Sequence, residues 1–288
     1  MTLPVQVQSF FHEPTFTVSH LVWDETTARG AIIDSVLDFD SKSGRTGTHS
    51  AQAILDAAKK KGLTIDWILE THAHADHLSA APYIKKATGA PIVIGENIKA
   101  VQGVFKNVFN LYDITPDGRP FDRLVRDGER LALGRLEIEV LHTPGHTPAC
   151  VSYRIGDAVF VGDTLFMPDF GTARADFPGG DARTLYRSIR KLLALPDETR
   201  LFMCHDYKAP EREAFSWETT VAEERKANIH VHDGVTEDEF VALREARDNT
   251  LEMPVLILPS IQVNIRAGEL PAPEANGVRY LKLRLDAL

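Results

Sequence analysis

Residues 63–70, LTIDWILE, are an apolar, β-favouring run that ends directly on THAHADH, residues 71–77. A strand that stops there delivers His72, His74, Asp76 and His77 onto a tight loop at a sheet edge, where side chains converge instead of alternating between faces. Three histidines and an aspartate within six positions are more polar chemistry than packing explains, because a buried polar group needs a partner. Neutral imidazoles and carboxylates are ligands of borderline divalent metals, so the cluster predicts a metal site.

The same arrangement recurs downstream. His142 and His146 flank TPG in LHTPGHT, Asp163 follows AVFVG, and His205 with Asp206 follows RLFMC. Singly, each is weak: an Asp after Gly is commonly a turn residue, and a lone His such as His142 is commonly packed. Three apolar strands that each discharge His or Asp at their C-terminal end bring those groups to one edge of a sheet assembly.

Strands alternate with helices along the chain. VQVQSF, TFTVSHLVW and GAIIDSV predict an opening antiparallel meander. HSAQAILDAAKKKG places Ala51, Ile54, Leu55 and Ala58 on one helical face and ends at Gly62, a C-terminal cap. SAAPYIKKATG is expected to be a helix and PIVIG a strand. In the second half RLEIEVLHT, ACVSYRIG, AVFVGDT and RLFMCHDY read as strands. DARTLYRSIRKLLALP reads as a helix with Leu185, Ile189, Leu192 and Leu193 inward and Asp181 at its start. Two such halves predict two sheets packed face to face with helices outside, an α/β fold of αββα type. From Asn228 the texture changes: Thr236 and Glu239 make a capping-box pattern, while the tail from Glu252 is Pro-rich and reads as irregular. No low-complexity linker separates it, so residues 1–288 are expected to form one domain, with 228–288 a C-terminal extension packed on it.

Composition narrows the partner. The formal charge of −9 gives no polybasic face for nucleic acid or an anionic membrane, which points to a small metabolite. Hydrophobic content of 43% supports a substantial core. Two cysteines, Cys150 and Cys204, suit a reducing compartment, and the N-terminal residues contain no basic-then-apolar signal pattern, so a cytoplasmic location is expected. Cys204, inside the run LFMC, is expected to be a small buried hydrophobe and not a nucleophile.

The series THxHxDH, HTPGHT, GD and HDY resembles the metallo-β-lactamase superfamily over residues 5–210. In that family's dinuclear pattern one metal takes His72, His74 and His146, the other takes Asp76, His77 and His205, and Asp163 bridges. HTPGHTPACVSY, GDTLF, ARADF and PSIQVNIRAGELP resemble one branch more closely, the glutathione persulfide dioxygenases. That resemblance implies one Fe(II) per chain on His72, His146 and Asp163, with glutathione persulfide and O2 as reactants, sulfite and glutathione as products, and a homodimer. His74, Asp76, His77 and His205 then orient the ligands without binding the metal. Arg174 of ARADF and Tyr207 of HDY match positions that contact glutathione in that branch; a competing reading of Arg174 is a surface ion pair with Asp176. TLFMPDFGTA, residues 164–173, departs from the animal-type enzymes at the pocket wall, so another persulfide or an inorganic polysulfide stays open.

Two other functions remain in view. One is a di-zinc hydroxyacylglutathione hydrolase; against it stands a Pro-interrupted tail in place of the basic helical module such enzymes use. The other is a non-catalytic sulfur or metal sensor, disfavoured because surplus buried imidazoles and carboxylates cost stability.

Overall fold

The structure, a computed structural model, describes residues 4–286. Strands β1 (Gln6–His12), β2 (Thr17–Asp24) and β3 (Arg29–Ile33) form the expected meander, with Val7 opposite Val22 and Val22 opposite Ala31. A hairpin of β4 (Val36–Asp40) and β5 (Arg45–Gly47) leads into α1 (His49–Lys60). That helix buries Ala51, Ile54 and Ala58, leaves Leu55 partly exposed, and ends before Gly62, whose φ of +68° suits glycine. Next come β6 (Thr64–Leu69), β7 (Leu78–Ser79), α2 (Ala81–Thr88), β8 (Ile92–Gly95), α3 (Ile98–Val108) and β9 (Arg123–Val125). The first sheet runs β1-β2-β3-β6-β8-β9, antiparallel at its meander and parallel from β3 onward. A smaller sheet, β5-β4-β7, stands beside it.

The second sheet comprises β10 (Arg130–Leu133), β11 (Leu136–His142), β12 (Val151–Ile155) and β13 (Ala158–Phe160). After α4 (Ala182–Leu193) it is completed by β14 (Arg200–Phe202) and β15 (Glu218–Thr220), in the order β10 to β15. Asp181 caps α4 by accepting Thr184 N–H at 2.7 Å, and Leu185, Ile189, Leu192 and Leu193 are buried as expected.

Period-two alternation sorts the strand residues into layers. Leu21, Ile32 and Ile68 belong to a core beneath α1, α2 and α3, whereas Val22, Ile33 and Leu69 face the other sheet. Across the interface Ala158, Phe160 and Phe202 point back at them, and Val159, Val161 and Leu201 pack under α4. The result is the αββα sandwich.

Three expectations need correction. The helix expected from Ser79 begins at Ala81, because Leu78 and Ser79 pair with Leu37 and Val36 as β7. The strand expected over 200–207 ends at Phe202, which frees the following residues for the site. The C-terminal region is not irregular throughout. Following α5 (Val221–Ala227), it holds the capping-box helix α6 (Glu237–Asp248) and also α7 (Ile257–Asn264), which packs on β7 and buries Ile261, Val263 and Asn264. Among the described residues, no helix is long and apolar enough to cross a membrane.

Candidate metal centre

Leu69 is the last residue of β6, and Glu70 N–H still bonds the Val93 carbonyl at 2.9 Å, so the chain leaves the sheet at Thr71. Asp34, which follows β3, accepts Thr71 N–H and Thr71 Oγ1–H, both at 2.8 Å, and faces His74 Nε2 at 3.0 Å. The loop 71–77 is thereby tied down at its start and middle. His146 follows Gly145 beyond β11, Asp163 follows Gly162 beyond β13, and His205 lies beyond β14. Gly162 has φ +52°, and a Cβ there would lie 2.7 Å from Thr71 Oγ1, so only glycine lets the Asp163 loop approach so closely.

All seven predicted ligand residues converge, in two groups. His72, His146 and Asp163 make one; Asp163 Oδ2 is 3.8 Å from His72 Nε2 and 3.6 Å from His146 Nε2. His74, Asp76, His77 and His205 make the other; Asp76 Oδ2 is 3.1 Å from His77 Nδ1 and 3.4 Å from His205 Nε2. Asp163 Oδ1 reaches His205 Nε2 at 3.4 Å and so links the groups. His142 is turned away and contacts Asn97 and the Pro148 carbonyl, while Asp206 is ion-paired with Arg212.

Whether these residues fit a metal is tested by their unpaired atoms. Among the described residues, nine buried side-chain atoms have no hydrogen-bond partner, and five are His72 Nε2, His74 Nδ1, His77 Nε2, Asp163 Oδ1 and His205 Nε2. Such atoms are costly unless an electropositive partner meets them. The outer nitrogens are engaged: His72 Nδ1 with Thr71 Oγ1 at 3.0 Å and His146 Nδ1 with the Arg174 carbonyl at 2.8 Å. That leaves each Nε2 to present a lone pair inward. Burial, then neighbouring imidazoles, hold His72 and His74 well below the ordinary histidine range, so both are neutral. At Asp76 burial is outweighed by His205 and His77, which keep it ionised. The residues fit a metal.

A cavity of about 600 Å³ opens onto Asp76, His146 and Asp163. Phe16, Phe166 and Phe170 surround Tyr207, which stacks on His205 at 5.5 Å between ring centroids. Burial, reinforced by Asp76 and Asp163, raises the Tyr207 phenol well above its ordinary range, so it stays a hydrogen-bond donor. Arg174 lines the cavity, but its guanidinium donates to both oxygens of Asp176 at 2.6 Å and to the Glu252 carbonyl at 2.7 Å. The pair with Asp176 is the competing reading of Arg174, placed in the cavity wall with only 10% of its side chain exposed. Cys204 is buried, and burial followed by Asp34 and Asp163 pushes its thiol well up, away from thiolate chemistry.

Residues 12–205 match the family model described as "Metallo-beta-lactamase superfamily". The chain belongs to that superfamily. Among its superfamily relatives, it is 56% identical over 98% of its length to "Probable metallo-hydrolase BURPS1710b_2304" of Burkholderia pseudomallei, covering 99% of that protein. It is 49% identical over its whole length to "Glyoxylase B2" of Dictyostelium discoideum, covering 99% of it. With the human "Persulfide dioxygenase ETHE1, mitochondrial" it shares 28% identity over 92% of this chain and 89% of that one. Among solved structures, ETHE1 from Myxococcus xanthus superposes with a TM-score of 0.74 at 30% identity, covering 92% of this chain and 100% of that chain.

Sequence reasoning missed Asp34 and Asn264. Asp34 ends the apolar run GAII, the same strand-end signal that marked Asp163, and was findable. Asn264 donates to the carbonyls of His74 and His77, and nothing in NIRAGELP marks it.

Proposed function

We propose that this chain is a persulfide dioxygenase that oxidises glutathione persulfide with O2 at one Fe(II) held by His72, His146 and Asp163. The observation that carries the reading is that His72, His146 and Asp163 form a group of their own at the cavity, while Asp76, the carboxylate a second metal needs, shares its Oδ2 among three neighbours. It contacts His77 at 3.1 Å, His205 at 3.4 Å and Thr17 Oγ1 at 3.2 Å. The remaining set is a two-His, one-carboxylate face, which leaves coordination positions for two reactants. The likeness to the ETHE1 structure and to the human persulfide dioxygenase supports the assignment.

Bound iron supplies the one-electron chemistry that lets O2 react with sulfur, which side chains lack. The chain's own groups orient and protect. Thr71 Oγ1 and the Arg174 carbonyl fix the imidazole rings of His72 and His146. The Tyr207 phenol is a donor toward the persulfide sulfur, and Phe166, Phe170 and Phe177 keep water from the reacting end. The reaction balances as persulfide, O2 and water giving glutathione and sulfite: the persulfide loses four electrons, O2 gains four, and water cleaves the S–S bond.

A di-zinc thioester hydrolase is the second reading. The unpartnered inward nitrogens of His74 and His77 favour it, as do the hydrolase and glyoxylase names among relatives. A tail without basic helices is not what the fold shows, because Arg244 and Arg247 of α6 line the cavity. Metal analysis of anaerobically purified protein decides, with O2 uptake on glutathione persulfide as the activity measured. About one iron per chain and sulfite formation are expected; two zincs with thioester hydrolysis and no O2 uptake would overturn the dioxygenase.

A further inference from the structure

Besides the metal ligands, the cavity wall carries four cations: Lys42 on the β4–β5 turn, Arg174, and Arg244 and Arg247 of α6. Two are neutralised in place. Arg174 is bidentate to Asp176, and the fully buried Arg244 pairs with Asp248 at 2.7 Å and donates to the Thr172 carbonyl at 3.0 Å. Asp248 in turn accepts Ala175 N–H at 2.9 Å, so this pair braces the wall segment whose Arg174 carbonyl orients His146. Arg247 differs. Among the described residues its guanidinium makes no ion pair and no hydrogen bond, although Glu252 lines the same wall. It sits over the Phe170 ring, 6.0 Å from the centroid; Phe170 lies 5.3 Å from Tyr207, and Tyr207 lies 5.5 Å from His205. An aromatic ladder therefore joins the unneutralised guanidinium to the metal centre by three successive contacts.

We propose that Arg247 reads the distal carboxylate of the thiol-derived substrate, with its sulfur at the metal end of this ladder. The inference rests on the persulfide reading above and replaces Arg174 as the recognition residue. A guanidinium presents a planar fork that a carboxylate meets with two charge-assisted bonds, and only Arg247 has that fork free. Its position one turn from Arg244 on α6 puts both on one helix face, so the bracing pair also fixes the reading residue. A carboxylate bound far from the sulfur contributes about equally to ground and transition states, so its loss appears in KM and not in kcat.

The test combines binding and turnover in metal-loaded protein. S-methylglutathione, which cannot react, is titrated by calorimetry into wild type, Arg247→Ala, Arg247→Lys and Arg174→Ala; glutathione persulfide and methyl persulfide are then compared as substrates. For Arg247→Ala, S-methylglutathione binding at least tenfold weaker is expected, with a similar rise in KM for glutathione persulfide and kcat within about twofold. Arg247→Lys recovers part of the loss. The drop in kcat/KM for methyl persulfide, which has no carboxylate, stays at least fivefold smaller. Wild type that does not bind S-methylglutathione, Arg247→Ala that binds it as tightly as wild type, or equal losses on both persulfides overturns the assignment. If wild type binds S-methylglutathione yet consumes no O2, the dioxygenase reading fails while the binding data still judge Arg247. Arg247 is exposed, and unchanged circular dichroism and iron content identify a correctly folded variant.

Discussion

Asn264, the last residue of α7, donates its side-chain N–H groups to the backbone carbonyls of His74 at 2.8 Å and His77 at 2.7 Å. Its Oδ1 accepts Ser79 N–H at 2.8 Å. One amide thus holds the middle and the end of the loop that carries four of the candidate ligand residues, from 190 residues away in the chain. The C-terminal extension is part of the metal centre's scaffold.

Asn264→Ala is expected to leave two carbonyls and one N–H buried without partners. The cost is about 2 to 4 kcal/mol, read as a lower melting temperature and a smaller denaturation midpoint. The released loop should also bind metal less tightly, measured as metal per chain after dialysis against a weak chelator. Asn264→Asp keeps the acceptor for Ser79 but loses the donors and should fall close to the alanine variant. A variant with wild-type melting and metal retention would show that the loop holds itself.

The division of the seven ligand residues gives a separate expectation. On the proposed dioxygenase reading, replacing His72, His146 or Asp163 with Ala leaves two groups of the three-ligand face and should abolish both bound iron and O2 uptake. His74 faces Asp34 at 3.0 Å through Nε2, so His74→Ala should lower kcat while much of the iron stays. Iron lost as completely from His74→Ala as from His72→Ala would make His74 a ligand and favour the dinuclear arrangement.

The candidate ligand residues are legible because each lies on a loop that follows an apolar strand, and strands in an αββα sandwich stop at a common edge. Asp34 carries the same signal inside the opening meander, where His12 and His20 stand singly and no cluster draws attention to it. Arg174 shows the limit of reading contacts from a motif. Its position by the cavity followed from ARADF, but only the packed structure shows that Asp176, two residues on, pairs with its guanidinium. α7 was unreadable for another reason. It is short, follows Pro254 and buries polar Ser260, Gln262 and Asn264 alongside Ile261 and Val263, so it has no amphipathic period, and its identity comes from packing on β7.

Glu224 gives a pH expectation remote from the metal. Its side chain is fully buried, Oε2 accepts Asn228 Nδ2–H at 2.6 Å and Oε1 has no partner. Burial raises its pKa from 4.5 to about 8, with Asn228 opposing and Asp169 adding to the rise. An acid with a raised folded-state pKa binds more protons folded than unfolded between these values, so stability falls as pH rises from about 4.5 to 8 and then levels off. Glu224→Gln removes the ionisable group. Its stability relative to wild type should therefore increase by about 4 kcal/mol between pH 5 and pH 9, measured by urea unfolding at each pH. A constant difference between the two proteins across that range would mean that Glu224 titrates normally.

Gly145 links the packing of α4 to the placement of His146. Its φ is +138°, and a Cβ there would lie 2.3 Å from Leu185 Cα and 2.4 Å from Leu185 N, backbone atoms in the first turns of α4. The contact is two-sided, since the Gly145 carbonyl accepts Asp181 N–H at 2.9 Å and Asp181 caps the same helix. Neither partner can yield cheaply: moving α4 uncovers Leu185 and Ile189, and moving the loop carries His146 away from Asp163. Gly145→Ala should destabilise the protein by about 2 kcal/mol or more through overpacking and strain. Because the displaced residue sits beside a ligand, metal affinity should fall further than in a variant of equal stability loss elsewhere on α4, such as Ile189→Val or Ile189→Ala. The check is to plot metal retention against melting temperature for the three variants. Gly145→Ala falling on the same line as the Ile189 variants would mean that the helix absorbs the added methyl group and that His146 keeps its place.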